Sequence, residues 1–243
     1  MSRLRSFAAR VKRRFAPNRY YANPQSYWER RHSAYGTSLE GVGRIHMTEA
    51  ANESAYHIKW SHVENALKLA GAPGTLLDAG CGSGWFTQRF VEMGYKVTAF
   101  DFTASGIAAA KERVSGDVTW VVSDIASYRS DHSHPLVVCI DVLFHIVDDS
   151  AWIEAVSNLG ALAAGGVLII QDHLIGQPLP PPITTPGTYH TRWRTLEDYQ
   201  AVLAGAVLEA HDLYELPMED ATKDLLVFRV PPVDTSKEAK NTR

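Results

Sequence analysis

Short apolar runs alternate with segments of helical character from residue 75 onward, and this alternation constrains the fold more than any other feature of the sequence. The apolar runs predict strands over residues 75–79, 96–101, 118–122, 136–141 and 166–172. The segments between them predict helices over residues 84–93, 104–114 and 150–162. Because the strands are apolar almost throughout, both faces of the sheet should be covered, as in a doubly wound, mostly parallel α/β fold.

The alternation of strands and helices does not extend over the whole chain. Residues 177–187, after the fifth strand, are too rich in proline for regular structure. Beyond them the pattern predicts a helix over residues 195–204 and two strands over residues 207–215 and 224–230. We therefore expect one domain over residues 25–230, made of a helical lid over residues 25–70 and a core over residues 71–230.

The most specific motif is a glycine-rich loop between the first strand and its helix, which reads D-A-G-C-G-S-G from Asp78 to Gly84. Glycines permit a sharp turn and let a ligand approach the backbone, and ligands of doubly wound sheets bind at the carboxyl ends of the strands. A dinucleotide site needs G-x-G-x-x-G. When that pattern is aligned on Gly80 and Gly82, its third glycine would fall at position 85, where this chain has Trp85. The acid before the loop also disfavours a pyrophosphate and suits a ligand with an ammonium and a sulfonium group, such as S-adenosylmethionine.

This loop resembles the D-x-G-C-G-x-G motif of the class I S-adenosylmethionine-dependent methyltransferases, over roughly Thr75 to Val230. The resemblance implies methyl transfer, S-adenosylmethionine as cofactor, and a seven-stranded Rossmann-like sheet with an antiparallel last strand. Asp101, at the end of the second strand, would hold the ribose hydroxyls. The other cofactor-binding residues that it implies are Asp78, Gly80, Cys81, Gly82, Gly84, Phe102, Asp124, Ile125 and, from the lid, Arg44.

The predicted fourth strand is followed by a D-x-x-x-H pattern from Asp141 to His145. The [D/N]-P-P-[Y/F] motif of enzymes that methylate amino groups of bases or glutamine is absent, and the pattern resembles small-molecule methyltransferases. A sugar or aliphatic hydroxyl must lose a proton to accept a methyl group, and histidine titrates near neutral pH. We therefore predict His145 as general base, with Asp141 as a second catalytic residue. The alternative is that His145 only shapes the pocket.

The end of the fifth strand, at Asp172 and His173, should lie beside the end of the fourth. Two interpretations stay open. These residues can orient the base, or Asp141 and Asp172 can hold a divalent cation such as Mg²⁺ that lowers the pKa of the acceptor hydroxyl. No ligand spacing in the sequence decides between them.

The acceptor is the least constrained part of the prediction. Aromatic and arginine side chains over residues 188–194 favour a sugar or an acidic molecule. The leading hypothesis is O-methylation of a hydroxyl on a small molecule, sugar or glycan. The alternatives are N- or C-methylation of a small metabolite or quinone-like lipid, and a non-catalytic cofactor-binding or assembly protein.

The amino-terminal segment over residues 1–24 is basic and amphipathic. Residues 1–28 hold seven basic residues and no acid, which leaves 17 basic and 27 acidic residues for the rest of the chain. An acidic body argues against nucleic acid as a partner. For the segment, three interpretations stay open: a solvated leader, a helix over residues 1–16 on an anionic membrane surface, or a transit peptide.

The remaining expectations concern location and assembly. Only two cysteines are present, and both fall in predicted core segments, which favours a reducing, cytoplasmic compartment. Residues 231–243 are polar without periodicity and should form a flexible tail. A homodimer stays open as the assembly.

Overall fold

The computed structural model describes residues 23–45, 47–175, 191–216 and 222–233. The predictions for the basic leader up to residue 22, for the proline-rich segment over residues 177–187 and for the tail from residue 234 therefore lie outside the described residues. No helix within the described ranges is long and apolar enough to cross a bilayer.

Seven strands and six α-helices make up the described chain. The strands are β1 (Thr75–Ala79), β2 (Lys96–Asp101), β3 (Val118–Val122), β4 (Leu136–Ile140), β5 (Val167–Asp172), β6 (Val207–Glu215) and β7 (Thr222–Arg229). The α-helices are α1 (Pro24–Tyr35), α2 (Glu49–Leu67), α3 (Trp85–Glu92), α4 (Ala104–Arg113), α5 (Asp149–Leu162) and α6 (Leu196–Val202). Short 3₁₀ turns occur at Leu39–Gly41, Lys68–Ala70 and Leu143–His145.

All seven strands form one sheet in the order β3-β2-β1-β4-β5-β7-β6. The first five strands pair in parallel, and β7 is antiparallel to both β5 and β6. The predicted mostly parallel, Rossmann-like sheet with an antiparallel last strand is confirmed. The strand order reverses between β1 and β4, and this switch point is where doubly wound sheets bind ligands.

The central strands are buried on both faces, as their apolar sequences predict. Every residue of β4 and β5 is buried. One apolar cluster packs α2 and α3 against one face of the sheet, and a second packs α5 and α6 against the other. The helices begin at polar caps: the side chain of Asp148 accepts a hydrogen bond from Ala151 N at the start of α5, and Thr195 and Asp198 form a reciprocal capping box at the start of α6.

The lid helix α1 is fixed to the core through α4. Asn23 caps its first turn and Pro24 occupies the first helical position, where a missing N–H has no cost. Ser105, in the first turn of α4, donates its backbone N–H and its hydroxyl to the side chain and the carbonyl oxygen of Glu29. The side chains of α1 that face the sheet are thereby held over the carboxyl ends of its strands.

Candidate active site

Two cavities lie side by side at the carboxyl edge of the sheet. The first, of about 400 Å³, is lined by the loops after β1, β2 and β3 and by α1. The second, of about 310 Å³, lies between the lid and the ends of β4, β5 and β7. Trp28, Val42 and His145 line both cavities. Each cavity is large enough for a small molecule, and the two share a boundary.

The glycine-rich loop forms the floor of the first cavity at Gly80 and Gly82. Both glycines have positive φ, of 79° and 52°. The backbone N–H groups of Gly80 and Cys81 donate to the carbonyl oxygen of Phe100, which fastens the loop to β2. A Cβ atom on Gly80 would lie 2.6 Å from a methyl carbon of Val142. Gly80 is thus too close to the chain after β4 to carry a side chain.

Gly84 lies at the start of α3, where it packs against α4. It does not line a described cavity, and a Cβ atom there would lie 2.9 Å from Cβ of Ala110 on α4. Gly84 is the N-cap residue of α3 and has a φ of 76°. The third glycine of the motif therefore permits close packing of α3 against α4, and its assignment to cofactor binding stays a prediction.

Asp78 lies beneath the loop rather than in the first cavity. Its buried carboxylate accepts a hydrogen bond of 2.6 Å from the hydroxyl of Thr87. Together with Cys81 it lines a small pocket of about 50 Å³ that continues from the loop glycines. Burial raises the pKa of Asp78 to about 7. A cationic group in this pocket would favour the ionised carboxylate.

Asp101 closes the first cavity at the end of β2. Its Oδ1 accepts hydrogen bonds from the backbone N–H and the hydroxyl of Thr103, at 2.9 and 2.6 Å. Its Oδ2 accepts one from the backbone N–H of Gly82, at 3.1 Å. Since each carboxylate oxygen can accept two hydrogen bonds, Oδ2 keeps room for one further donor, such as a ribose hydroxyl.

His32 supports Asp101 from the lid, and sequence reasoning missed it. Its Nδ1 lies 2.7 Å from the hydroxyl oxygen of Thr103, which itself donates to Asp101. Burial lowers the pKa of His32, so the ring is neutral near pH 7 and donates its Nδ1 hydrogen to that oxygen. His32 follows Trp28 by one helical turn, and this spacing was the only signal in the sequence.

The far end of the first cavity carries three of the predicted cofactor-binding residues. Phe102, Asp124 and Ile125 line it. Oδ1 of Asp124 accepts a hydrogen bond from the backbone N–H of Ala126, so the loop after β3 is held in a tight turn.

His145 stands at the boundary of the two cavities, in the 3₁₀ turn after β4. Its ring meets the indole ring of Trp28 edge to face, with centroids 5.0 Å apart and planes at 73°. The ring of Phe144 lies on its other side, with centroids 4.3 Å apart. These contacts orient an imidazole toward both cavities.

Asp141 is held by two lysines that the sequence analysis did not single out. Nζ of Lys59 lies 2.6 Å from Oδ2, and Nζ of Lys223 lies 2.5 Å from Oδ1. Oδ1 also accepts a hydrogen bond of 2.7 Å from the side chain of Gln171. The two ammonium groups hold the pKa of Asp141 well below its usual range. Its φ of 59° lies in the left-handed region, which aspartate tolerates better than most residues.

The predicted cation site between Asp141 and Asp172 is not supported. Asp172 is fully buried behind the cavity, where it accepts hydrogen bonds from the hydroxyl of Tyr199 and the backbone N–H of His173. Burial raises the pKa of Asp172 to about 7. Within the described part of the chain, no group of three His, Cys, Asp or Glu side chains has the geometry to bind a metal. Asp141 meets two cations, so a third would be repelled.

The arginine predicted for the cofactor lies elsewhere. Arg44 lines the second cavity, as does Arg31 of α1, and neither lines the first. The backbone of Arg44 is clamped by the side-chain amide of Asn52, through hydrogen bonds of 2.8 and 3.0 Å. Arg44 therefore lies in the cavity next to the one predicted to hold most of the cofactor, and its role in cofactor binding stays a prediction.

The arginines after the proline-rich segment brace the site instead of facing it. Arg192 and Arg194 both pair with Asp149, and Arg194 also donates to the carbonyl oxygen of Ile146. Trp193 does reach the second cavity, where its ring stacks on that of His173 with centroids 5.0 Å apart. Residues 188–190 lie outside the described ranges.

Comparison with known proteins adds three findings. Residues 76–166 match the family described as Methyltransferase domain. Nodulation protein S of Sinorhizobium fredii is 26% identical over 52% of this chain and 68% of that protein. The ubiquinone biosynthesis O-methyltransferase of Xanthomonas euvesicatoria is 30% identical, and the match spans 46% of this chain and about half, 48%, of that protein.

The fold has close structural neighbours. The crystal structure of the N-methyltransferase NodS from Bradyrhizobium japonicum WM9 with bound S-adenosylhomocysteine superposes with a TM-score of 0.61. The superposition covers 73% of this chain and 88% of that one, at 20% identity. At this level of identity the likeness concerns the fold.

Proposed function

We infer that this chain, a class I S-adenosylmethionine-dependent methyltransferase, transfers the methyl group to a hydroxyl oxygen of a small acceptor in the second cavity, with His145 as general base. The observation that carries the proposal is the position of His145 on the wall that both cavities share. A group bound there can reach a donor on one side and an acceptor on the other.

The residues of the first cavity fit S-adenosylmethionine. Its adenine would lie beside Phe102, Asp124 and Ile125, and Oδ2 of Asp101 has the remaining capacity for a ribose hydroxyl. Its ammonium group would extend toward the pocket above Asp78. When bound, the cofactor supplies an electrophilic methyl group on a good leaving group. The protein then has to align the acceptor and exclude water.

A hydroxyl acceptor also requires removal of its proton. His145 is the one imidazole that faces both cavities among the described residues. Trp28 and Phe144 restrict its ring, so the base is oriented before the acceptor arrives. Asp141 contributes in another way than predicted, because its carboxylate anchors Lys59 and Lys223 in the wall of the acceptor cavity.

The test compares His145→Ala and His145→Gln with the wild type in a screen of hydroxyl acceptors for release of S-adenosylhomocysteine. Loss of a general base should lower kcat by about 10²–10⁴. The Kd for S-adenosylhomocysteine, measured by calorimetry, should change less than about threefold. His132→Ala, an exposed histidine away from both cavities, is the matched control. Full activity of both His145 variants would refute the base assignment.

N-methylation is the second candidate, because an N-methyltransferase among the structural neighbours shows that this fold also supports transfer to nitrogen. It predicts an amine acceptor and high activity in His145→Ala, because a neutral amine attacks without a base. A non-catalytic binding protein, the remaining alternative, would bind the cofactor and release no S-adenosylhomocysteine with any acceptor.

A further inference from the structure

We propose that His32 of the lid binds one hydroxyl of the cofactor's ribose, while Asp101 binds the other. His32 is then a cofactor-binding residue that reaches the site from α1, outside the glycine-rich loop and the strand ends. The inference rests on the proposed function, since it deepens the description of the S-adenosylmethionine site in the first cavity. It is carried by the hydrogen bonds that the two side chains already make.

Asp101 has room for one ribose hydroxyl, whereas ribose presents two. Its Oδ1 accepts hydrogen bonds from the backbone N–H and the hydroxyl of Thr103, and its Oδ2 accepts one from the backbone N–H of Gly82. A carboxylate oxygen accepts about two hydrogen bonds, so one position remains, on Oδ2. A bidentate contact with both hydroxyls would also need a position on Oδ1. The second hydroxyl therefore needs another acceptor.

The hydrogen bonds of Thr103 determine which nitrogen of His32 can be that acceptor. The Thr103 hydroxyl donates its only hydrogen to Asp101, so it can only accept from Nδ1 of His32, which lies 2.7 Å away. Burial lowers the pKa of His32, which leaves the ring with a single N–H near pH 7. Since that hydrogen is on Nδ1, Nε2 carries a lone pair and can accept a hydrogen bond.

One edge of the His32 ring is occupied, and the opposite edge carries Nε2. The occupied edge packs on the first turn of α4, where a Cβ atom on Gly106 would lie 2.7 Å from Nδ1 and 3.1 Å from Cε1. Within the described ranges, no residue forms a hydrogen bond with Nε2. His32 is buried and lines the first cavity beside Asp101. Buried polar atoms are normally paired, and a ribose hydroxyl would supply the partner.

The lid helix is fastened so that His32 keeps this position. Nε2 of Gln25 donates to the carbonyl oxygen of Phe102, at 3.2 Å, and the side chain of Glu29 accepts from the backbone N–H of Ser105, at 3.1 Å. Gln25, Glu29 and His32 follow one another at helical spacing, so they share one face of α1. The imidazole is thus held at the end of β2 before the cofactor arrives, which reduces the entropy lost on binding.

Three ligands separate the two hydroxyls: S-adenosylhomocysteine and its 2′-deoxy and 3′-deoxy analogues. Calorimetry measures the Kd of each for the full chain. Both analogues should bind the wild type more weakly than the parent compound. The loss should be about three- to tenfold for the hydroxyl on the neutral imidazole and about 10–100-fold for the one on the carboxylate.

His32→Asn separates contact with the cofactor from support of Thr103. The asparagine amide can still donate to the hydroxyl of Thr103, but its side chain is too short to reach the position of Nε2. Its Kd for S-adenosylhomocysteine should rise about three- to tenfold. Removal of the hydroxyl that His32 holds should then cost less than about twofold, because its partner is already missing. The other hydroxyl should keep its wild-type contribution.

Two further variants complete the comparison. His32→Gln reaches the position of Nε2 with an amide oxygen, so both hydroxyls should keep a contribution of about threefold or more. Asp101→Asn should reduce the contribution of the other hydroxyl only. His132→Asn, the same substitution at an exposed histidine away from both cavities, should bind all three ligands as the wild type does.

A wild-type Kd for His32→Asn, or unchanged contributions of both hydroxyls in that variant, would overturn the assignment to His32. Loss of both contributions in Asp101→Asn would also overturn it, because one carboxylate would then hold both hydroxyls, and this test needs no substitution in the lid. A wild-type protein that does not bind S-adenosylhomocysteine would refute the proposed function itself. The base assignment is separate, since the His145 experiment measures turnover.

Discussion

Nζ of Lys59 lies 2.6 Å from Oδ2 of Asp141, which ties the lid helix α2 to the carboxyl end of β4. The contact joins residues 82 positions apart. Lys223, which follows Asp141 by 82 positions, donates to the second oxygen of the same carboxylate. One aspartate thus fastens the lid and the last strand to the edge of the sheet where the two cavities meet.

Asp141→Asn should lower the free energy of unfolding by about 3–5 kcal/mol, because it leaves two buried ammonium groups without their carboxylate. Asparagine tolerates the left-handed backbone of this position as well as aspartate does, so the effect reports the charge. Glu209→Gln, which breaks an ion pair with Arg229 at the surface, should cost about 0–1 kcal/mol. Urea denaturation measures both, and equal costs would contradict the anchoring role.

Gly84→Ala should destabilise the fold more than Gly94→Ala. Both glycines have positive φ, of 76° and 91°, so each substitution strains the backbone. Only at Gly84 would the new methyl group meet a neighbour, at 2.9 Å from Cβ of Ala110. We expect about 1 kcal/mol at Gly94 and about 1–3 kcal/mol more at Gly84. Thermal denaturation without cofactor checks the order, and a larger loss at Gly94 would refute it.

Asp172→Asn should change how stability depends on pH. The pKa of Asp172 is raised to about 7 in the folded protein and is about 3.9 in an unfolded chain. Between pH 4 and 7 the folded state therefore binds more protons at this group, and the group's contribution to stability falls as pH rises. The free energy of unfolding of the wild type, relative to the variant, should fall by up to about 1.4 kcal/mol per pH unit.

The groups around Asp172 do not obscure this comparison. The pKa values of Cys139 and Tyr199 are raised by burial, so both stay neutral in this range. The pKa of His173 is lowered to about 3, which has the opposite effect on stability but is common to both proteins. Urea denaturation at pH 5, 6 and 7 gives the difference, and parallel curves would contradict the prediction.

Asp101→Asn should weaken binding of S-adenosylhomocysteine by about 10–100-fold, the range expected for a lost hydrogen bond to a charged group. The side-chain amide of the new asparagine has only one acceptor oxygen, so it also loses one of the hydrogen bonds from Gly82 and Thr103 that position residue 101. Asp117→Asn, exposed before β3, should leave the Kd unchanged. Calorimetry decides, and an unchanged Kd for Asp101→Asn would remove this residue from the cofactor site.

Local patterns in the sequence predicted most of the fold. The strands over 75–79, 96–101, 118–122 and 207–215 match β1, β2, β3 and β6 in both bounds, because the alternation of apolar runs and turn residues is a property of neighbouring positions. The glycine-rich loop was predictable for the same reason.

The surroundings of two predicted site residues depended on distant contacts. Gly84 belongs to the motif, but its role follows from Ala110, on the next helix. Arg44 was assigned from its place in the lid, and the clamp of Asn52 on its backbone places it at the other cavity. No local pattern marks either contact.

The sequence by itself determined the sheet, the loop and the side chains at the ends of its strands, because short-range periodicity and backbone requirements specify them. Only the tertiary structure decided what lines the second cavity. Lys59, Asp141 and Lys223 are polar residues without any shared motif. They meet because β4 ends and the antiparallel β7 begins at one edge of the sheet beneath the lid. The charged residues of that cavity come from distant parts of the chain, so they are brought together only by folding.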